Sequence, residues 1–182
     1  RSPEDKTRST RYVGKRWYSG DSNFVSQLCE LRIWNVQRSA AEIARMMNGR
    51  LTGTEQGLVR YLRCDETSGT VLVDSAGVQD AVLQNASASA VLFGLAGPTL
   101  RDPITLPTAM QLDGDKDYLT LPPVDLDFSQ PWTLETWVYH SEVRAWTTLF
   151  DLGNGPGTGT AADDILIGRE SGTNALFLRV YK

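Results

Sequence analysis

Two short stretches set carboxylates and aromatic rings at alternate positions: Glu30-Leu31-Arg32-Ile33-Trp34 and Leu134-Glu135-Thr136-Trp137-Val138-Tyr139. In an extended strand alternate residues share a face, so Glu30, Arg32 and Trp34 fall together, and so do Glu135, Trp137 and Tyr139. Rings beside charged groups suit a sugar. Its C–H faces pack on aromatic rings, and its hydroxyls bond to carboxylates and guanidinium groups. The same residues equally suit a core, with Trp34 and Trp137 packed inside and Glu30 or Glu135 paired with Arg32 across strands. Trp146 and Trp17 stand in loop-like or strand-edge contexts and are candidates for exposed stacking. The candidate carbohydrate-binding set is Glu30, Arg32, Trp34, Glu135, Trp137 and Trp146.

A second chemistry is offered by Asp113-Gly114-Asp115-Lys116-Asp117. Three carboxylates within five residues can gather oxygens around a hard cation, so Asp113, Asp115 and Asp117 are candidate calcium ligands, with Asp163 and Asp164 as further donors. An EF-hand is excluded, because Tyr118 stands at the sixth position and Val124 at the twelfth. The alternative is an Asp/Gly hairpin turn whose carboxylates accept backbone N–H bonds.

Glycoside hydrolysis needs two carboxylates flanking the scissile bond, and only Glu30 and Glu135 suggest themselves. A Ser/His/Asp site would have to use His140, the single histidine, which has no nucleophile motif beside it. The glycine-rich run 153–160 lacks the Lys-Ser/Thr ending of a phosphate-binding loop and opens no helix. Cys29, Cys64 and His140 have no metal-ligand spacing. The two cysteines read as buried thiols rather than a disulfide framework, though pairing stays open. Asn85-Ala86-Ser87 is a three-residue sequon that arises readily by chance.

These residues need a scaffold. A chain of 182 residues, 41% hydrophobic and 22% charged, is long enough to bury a sizeable core. A net charge of −4 argues against nucleic-acid binding, and a small basic excess in residues 1–16 reads as a solvated tail. No apolar run reaches the ~20 residues of a membrane-spanning helix. The run 24–35 alternates, with Cys29, Leu31 and Ile33 expected on one face. A helix follows over 38–47, with Ser39 as N-cap and Glu42 completing a capping box; Ile43, Met46 and Met47 form its apolar stripe, and Asn48-Gly49 ends it. Short alternating runs separated by Gly, Pro, Asn and Asp fill most of the rest, with an irregular stretch from about 85 to 103. The class is all-β, a sandwich or jelly roll with one short helix near the N-terminus.

Four stretches resemble laminin G-like, pentraxin-like domains of the concanavalin A-like lectin/glucanase superfamily. Residues 57–77, GLVRYLRCDETSGTVLVDSAG, look like the opening of such a domain. AMQLDGDKDYLTLPP and PWTLETWVY are similar to its next strands, and ELRIWNVQRSAAEI resembles its closing strand and helix. The order departs from the family, since the closing signature comes first. Residues 1–50 are thus expected to be the end of one repeat and residues 51–182 the start of the next, packed as one permuted or incomplete jelly roll. A chain ending at Lys182 fits a fragment of a tandem array. The resemblance implies a non-catalytic carbohydrate-binding or adhesion module from a larger extracellular or cell-surface protein. Calcium is an implied cofactor and glycans the implied ligand. Glu-x-Asp-x-x-Glu, the cluster typical of enzymes of this fold, is absent. A spacer repeat without ligand is the alternative, and a hydrolase-related domain comes third. Missing strands would leave sheet edges that a second copy could cover as a homodimer.

Overall fold

The computed structural model describes residues 8, 10–16, 24–77, 79–86, 109–124, 126–142, 144–153, 164–170, 173 and 175–180. Trp17, Ser87 of the sequon, Asp163, the glycine-rich run from 154 and most of the irregular stretch lie outside them. The described chain is two antiparallel sheets with one short helix. Strands β1 (Thr10–Val13), β4 (Val71–Leu72), β5 (Ala81–Gln84), β7 (Tyr118–Thr120), β9 (Thr148–Gly153), β10 (Ile165–Arg169) and β11 (Leu176–Val180) form a seven-stranded sheet in the order β11-β10-β9-β1-β7-β5-β4. Strands β2 (Val25–Trp34), β3 (Leu58–Leu62), β6 (Met110–Asp113) and β8 (Thr133–His140) form the other.

In the four-stranded sheet, β2 is the axis. Its first half pairs with β6 and its second half with β3, both on one edge, while β8 runs along the opposite edge. In the large sheet, β1 sits between β7 and β9. Both strands from the first fifty residues therefore hydrogen-bond to strands from the later part of the chain, one in each sheet.

The core lies between the sheets. Leu83, Leu119, Val13, Phe150 and Ile167 sit in one register row across five strands of the large sheet. All but Ile167 are buried, and Ile167 packs against the same cluster. Phe24, Leu28, Leu31, Ile33 and Leu112 close on them from the other sheet. Gly14 turns the chain out of β1 with a φ of +86°, and a Cβ there would strike the Leu112 side chain. The edges of the two sheets are latched by Arg60 of β3. Its guanidinium bonds the Asp74 carboxylate at 2.6 Å and the Gln79 carbonyl at 3.0 Å. The other oxygen of Asp74 accepts the N–H groups of Tyr61, Ala76 and Gly77. Cys29 and Cys64 are free, buried thiols. Burial pushes Cys29 up to about 12 and Cys64 well above the usual thiol range.

The alternation expected along β2 is corrected at Glu30. That residue takes a φ of +53°, and Glu30 and Leu31 together oppose Thr136 of β8. Such a bulge inserts one residue and changes which parity faces inward. Before it, Phe24, Ser26 and Leu28 face the core; after it, Leu31 and Ile33 do, and Cys29, next to the bulge, is buried in the same cluster as these two, as the sequence led one to expect. The Thr136 hydroxyl donates to the Cys29 carbonyl beside the bulge at 3.1 Å.

Candidate functional site: two clefts flanking the helix

The helix α1 (Ala40–Met46) lies against the outer face of the four-stranded sheet. Ser39 caps it, accepting from the Glu42 amide while the Glu42 carboxylate accepts from the Ser39 amide, as the capping box requires. Those bonds hold the Glu42 carboxyl below its usual range. The other end is held by the sheet. Arg32 donates to the Met46 carbonyl at 2.9 Å and to that of Gly49, and the Trp137 indole N–H donates to the Met47 carbonyl at 2.8 Å. A cation and an N–H donor are what the orphan carbonyls of a helix C-terminus call for.

Arg32 is itself fixed from below. Its Nη2 lies 2.7 Å from Glu30 Oε2 in a pair that is 1% and 3% exposed, and the Tyr61 hydroxyl donates to the same oxygen at 2.7 Å. Burial, with the bond to Glu30, pushes the Tyr61 hydroxyl up to about 12. Tyr61 also accepts the Leu51 N–H and packs with Trp34, Leu51 and Leu58 in a small apolar cluster separate from the main core. Glu30 and Arg32 lie two residues apart and share the outer side of β2.

A cleft of about 270 Å³ opens between helix and sheet, lined by Glu30, Arg32, Glu135 and Trp137 together with Ile43, Met47, Leu134 and Thr136. Four of the six residues expected to bind sugar are thus brought together. Glu135 is 10% exposed, and its Oε2 lies 3.7 Å from Arg32. Its Oε1 is buried without a hydrogen-bond partner among the described residues. Trp34 is placed differently. It is 1% exposed, one ring face is covered by the Arg38 guanidinium carbon 4.2 Å from the ring centroid, and it lines a second cleft on the far flank of α1. That covering replaces the open ring expected of a sugar platform. Trp146, 41% exposed and beside Arg179, lines neither cleft. Ile43, Met47 and Leu134 entered the sequence reading only as apolar stripe and strand positions. The signal for Ile43 and Met47 was the helix stripe itself, none of whose residues is buried; Leu134 gave none, since it packs against the main core as an ordinary strand residue would.

The Asp113–Asp117 stretch is the tight turn joining β6 to β7. Asp117, fully buried, accepts from the Asp113 and Gly114 amides at 2.8 and 3.2 Å; Asp113 accepts from the Asp115 amide at 2.7 Å. Burial pushes the Asp117 carboxyl up to about 6, with the amide bond from Asp113 opposing and the Asp113 charge adding. Among the described residues no three His, Cys, Asp or Glu side chains group as they would around a metal ion. His140 is held by the Ser26 hydroxyl at 3.0 Å and the edge of Phe24, and burial pushes its ring below the usual range. No described helix is long and apolar enough to cross a membrane.

The chain matches no protein-family model, no curated protein and no solved structure.

Proposed function

We propose that this chain is a non-catalytic carbohydrate-binding or adhesion module, with its sugar in the cleft between α1 and the four-stranded sheet. It would be a permuted or incomplete concanavalin A-like jelly roll, joining the end of one repeat to the start of the next within a larger extracellular or cell-surface protein. The observation that carries the reading is Glu135 Oε1, buried and unpartnered beside Trp137 in a cleft open to solvent. A buried carboxylate oxygen without a donor is costly, and a sugar hydroxyl supplies one. Trp137, Leu134, Ile43 and Met47 give the C–H face of the ring an apolar wall. The volume lies just below the ~300–1,000 Å³ of pockets for drug-sized ligands, and suits one sugar ring better than a long chain. A non-catalytic role is supported by Glu30, which is committed to Arg32 and Tyr61 and so is no free partner for Glu135 in acid–base chemistry.

A second reading has its own support. Arg32 and the Trp137 N–H are both engaged by the helix C-terminus, as a spacer repeat with no ligand would use them. A glycan array probed with and without calcium separates the two. The binding module is expected to retain a neutral glycan and to lose roughly 10- to 100-fold in affinity on Glu135→Ala, the worth of a hydrogen bond to a charged group. A chain that holds no glycan in either condition is a spacer. Turnover of a polysaccharide would restore the hydrolase.

A further inference from the structure

The second cleft, about 360 Å³, lies along the opposite flank of α1. Its lining includes Trp34, Arg38, Glu42, Arg45, Met46 and Glu55. Its two carboxylates are fully occupied. Glu42 takes the amide and hydroxyl of Ser39 on one oxygen and faces Arg38 at 3.4 Å with the other. Glu55 takes the Thr52 amide and hydroxyl on one oxygen and the Gly53 amide on the other. Burial pushes the Glu55 carboxyl up, but those bonds outweigh it and the net shift is down. The donors are in the reverse condition. Trp34 Nε1 and Arg38 Nε are both buried with no acceptor among the described residues, and the two side chains stack on one another. Trp34 is 1% exposed, so its N–H has no ready access to bulk water.

We infer that this cleft binds a carboxylate, held by the Trp34 indole N–H and the Arg38 guanidinium. The unfilled donors are the Trp34 N–H and the Arg38 Nε–H, the guanidinium being stacked on the indole and already facing Glu42 through Nη1; two N–H groups can serve the two oxygens of a planar anion. The cleft's own formal charges cancel, Arg38 and Arg45 against Glu42 and Glu55, so a monoanion is better suited than a phosphate carrying nearly two charges. The inference is independent of the sugar site on the other flank, because the two clefts share no lining residue.

Indole N–H signals in a ¹H–¹⁵N spectrum test it. The chain has five tryptophans; Trp34→Phe identifies the Trp34 signal by its loss, and if that variant does not fold, contacts to Leu51 and Leu58 identify it in the native protein. Acetate, glucuronate, glucose, phosphate and chloride are titrated at constant ionic strength. The Trp34 signal is expected to move saturably with acetate and glucuronate, and Arg38→Gln is expected to weaken that response about tenfold or more. Tighter binding of glucuronate than of acetate supports the inference and indicates an acidic sugar as the source of the carboxylate; equal binding supports it and indicates a small organic acid. A Trp34 signal unmoved by acetate, one that follows phosphate or chloride equally, or one insensitive to Arg38→Gln overturns it. The sugar site is read separately from the Trp137 signal under glucose, so either site can fail alone.

Discussion

Glu30 and Asp117 are both almost completely buried, and they are held in opposite ways. Glu30, on the outer face of the four-stranded sheet, has a guanidinium and a phenol hydroxyl on one oxygen. Asp117, in the β6–β7 turn, has two backbone N–H groups and the Asp113 carboxyl, a like charge, beside it. The first is part of a charge-compensated unit that carries a helix. The second shapes a turn, and its ionised form is opposed by its surroundings. Burial by itself therefore says little about what an acidic residue does; the partner decides.

The sharpest way to break this comparison is to remove the cation from the first site. Arg32→Ala leaves Glu30 buried and unpaired and frees the helix carbonyls, so a loss of about 3–5 kcal/mol is expected. Urea unfolding measures it, and hydrogen exchange should show the protection of α1 collapsing first. A loss below about 1 kcal/mol would mean that the outer face is decoration rather than structure. The second site is tested by pH. The unfolded Asp117 carboxyl titrates near 3.8 and the folded one near 6. Its stabilising contribution is therefore complete below pH 3.8 and is lost as pH rises through 6. Asp117→Asn does not titrate, so its melting temperature should rise relative to that of the native protein between pH 4 and 6; a constant difference across that range would show that Asp117 ionises without penalty. The smallest effect belongs to an exposed carboxylate, Glu42, at the far end of the helix that Arg32 holds. Breaking its capping box with Ser39→Ala should cost about 1 kcal/mol, read by the same urea titration.

Local features of this architecture were legible in the sequence, and tertiary ones were not. The capping box at Ser39 and Glu42 rests on contacts within five residues, so residue type and spacing state it outright; the Asp/Gly turn at 113–117 is equally local and was legible as one of two alternatives. The all-β class followed from alternation and turn spacing. The bulge at Glu30 was invisible, because a glutamate with positive φ leaves no glycine or asparagine to announce it; what holds it there is the ladder to β8, more than a hundred residues away. The same ladder brings Glu135 and Trp137 to Arg32. The sequence showed that these residues each share a face with their neighbours, but not that a helix would roof them, nor that Arg38 would close over Trp34. The donors of the second cleft were missed for that reason, since an unfilled N–H exists only once everything around it has been placed.

The two thiols have a practical consequence. Neither Cys29 nor Cys64 meets solvent, and burial holds both in the unreactive protonated form. An alkylating reagent can reach them only when β2 parts from its neighbours or the chain beyond β3 lifts away. Each cysteine is thus a built-in stopwatch for opening, and the ratio of their labelling rates tells whether the sheet comes apart as one piece or from one end.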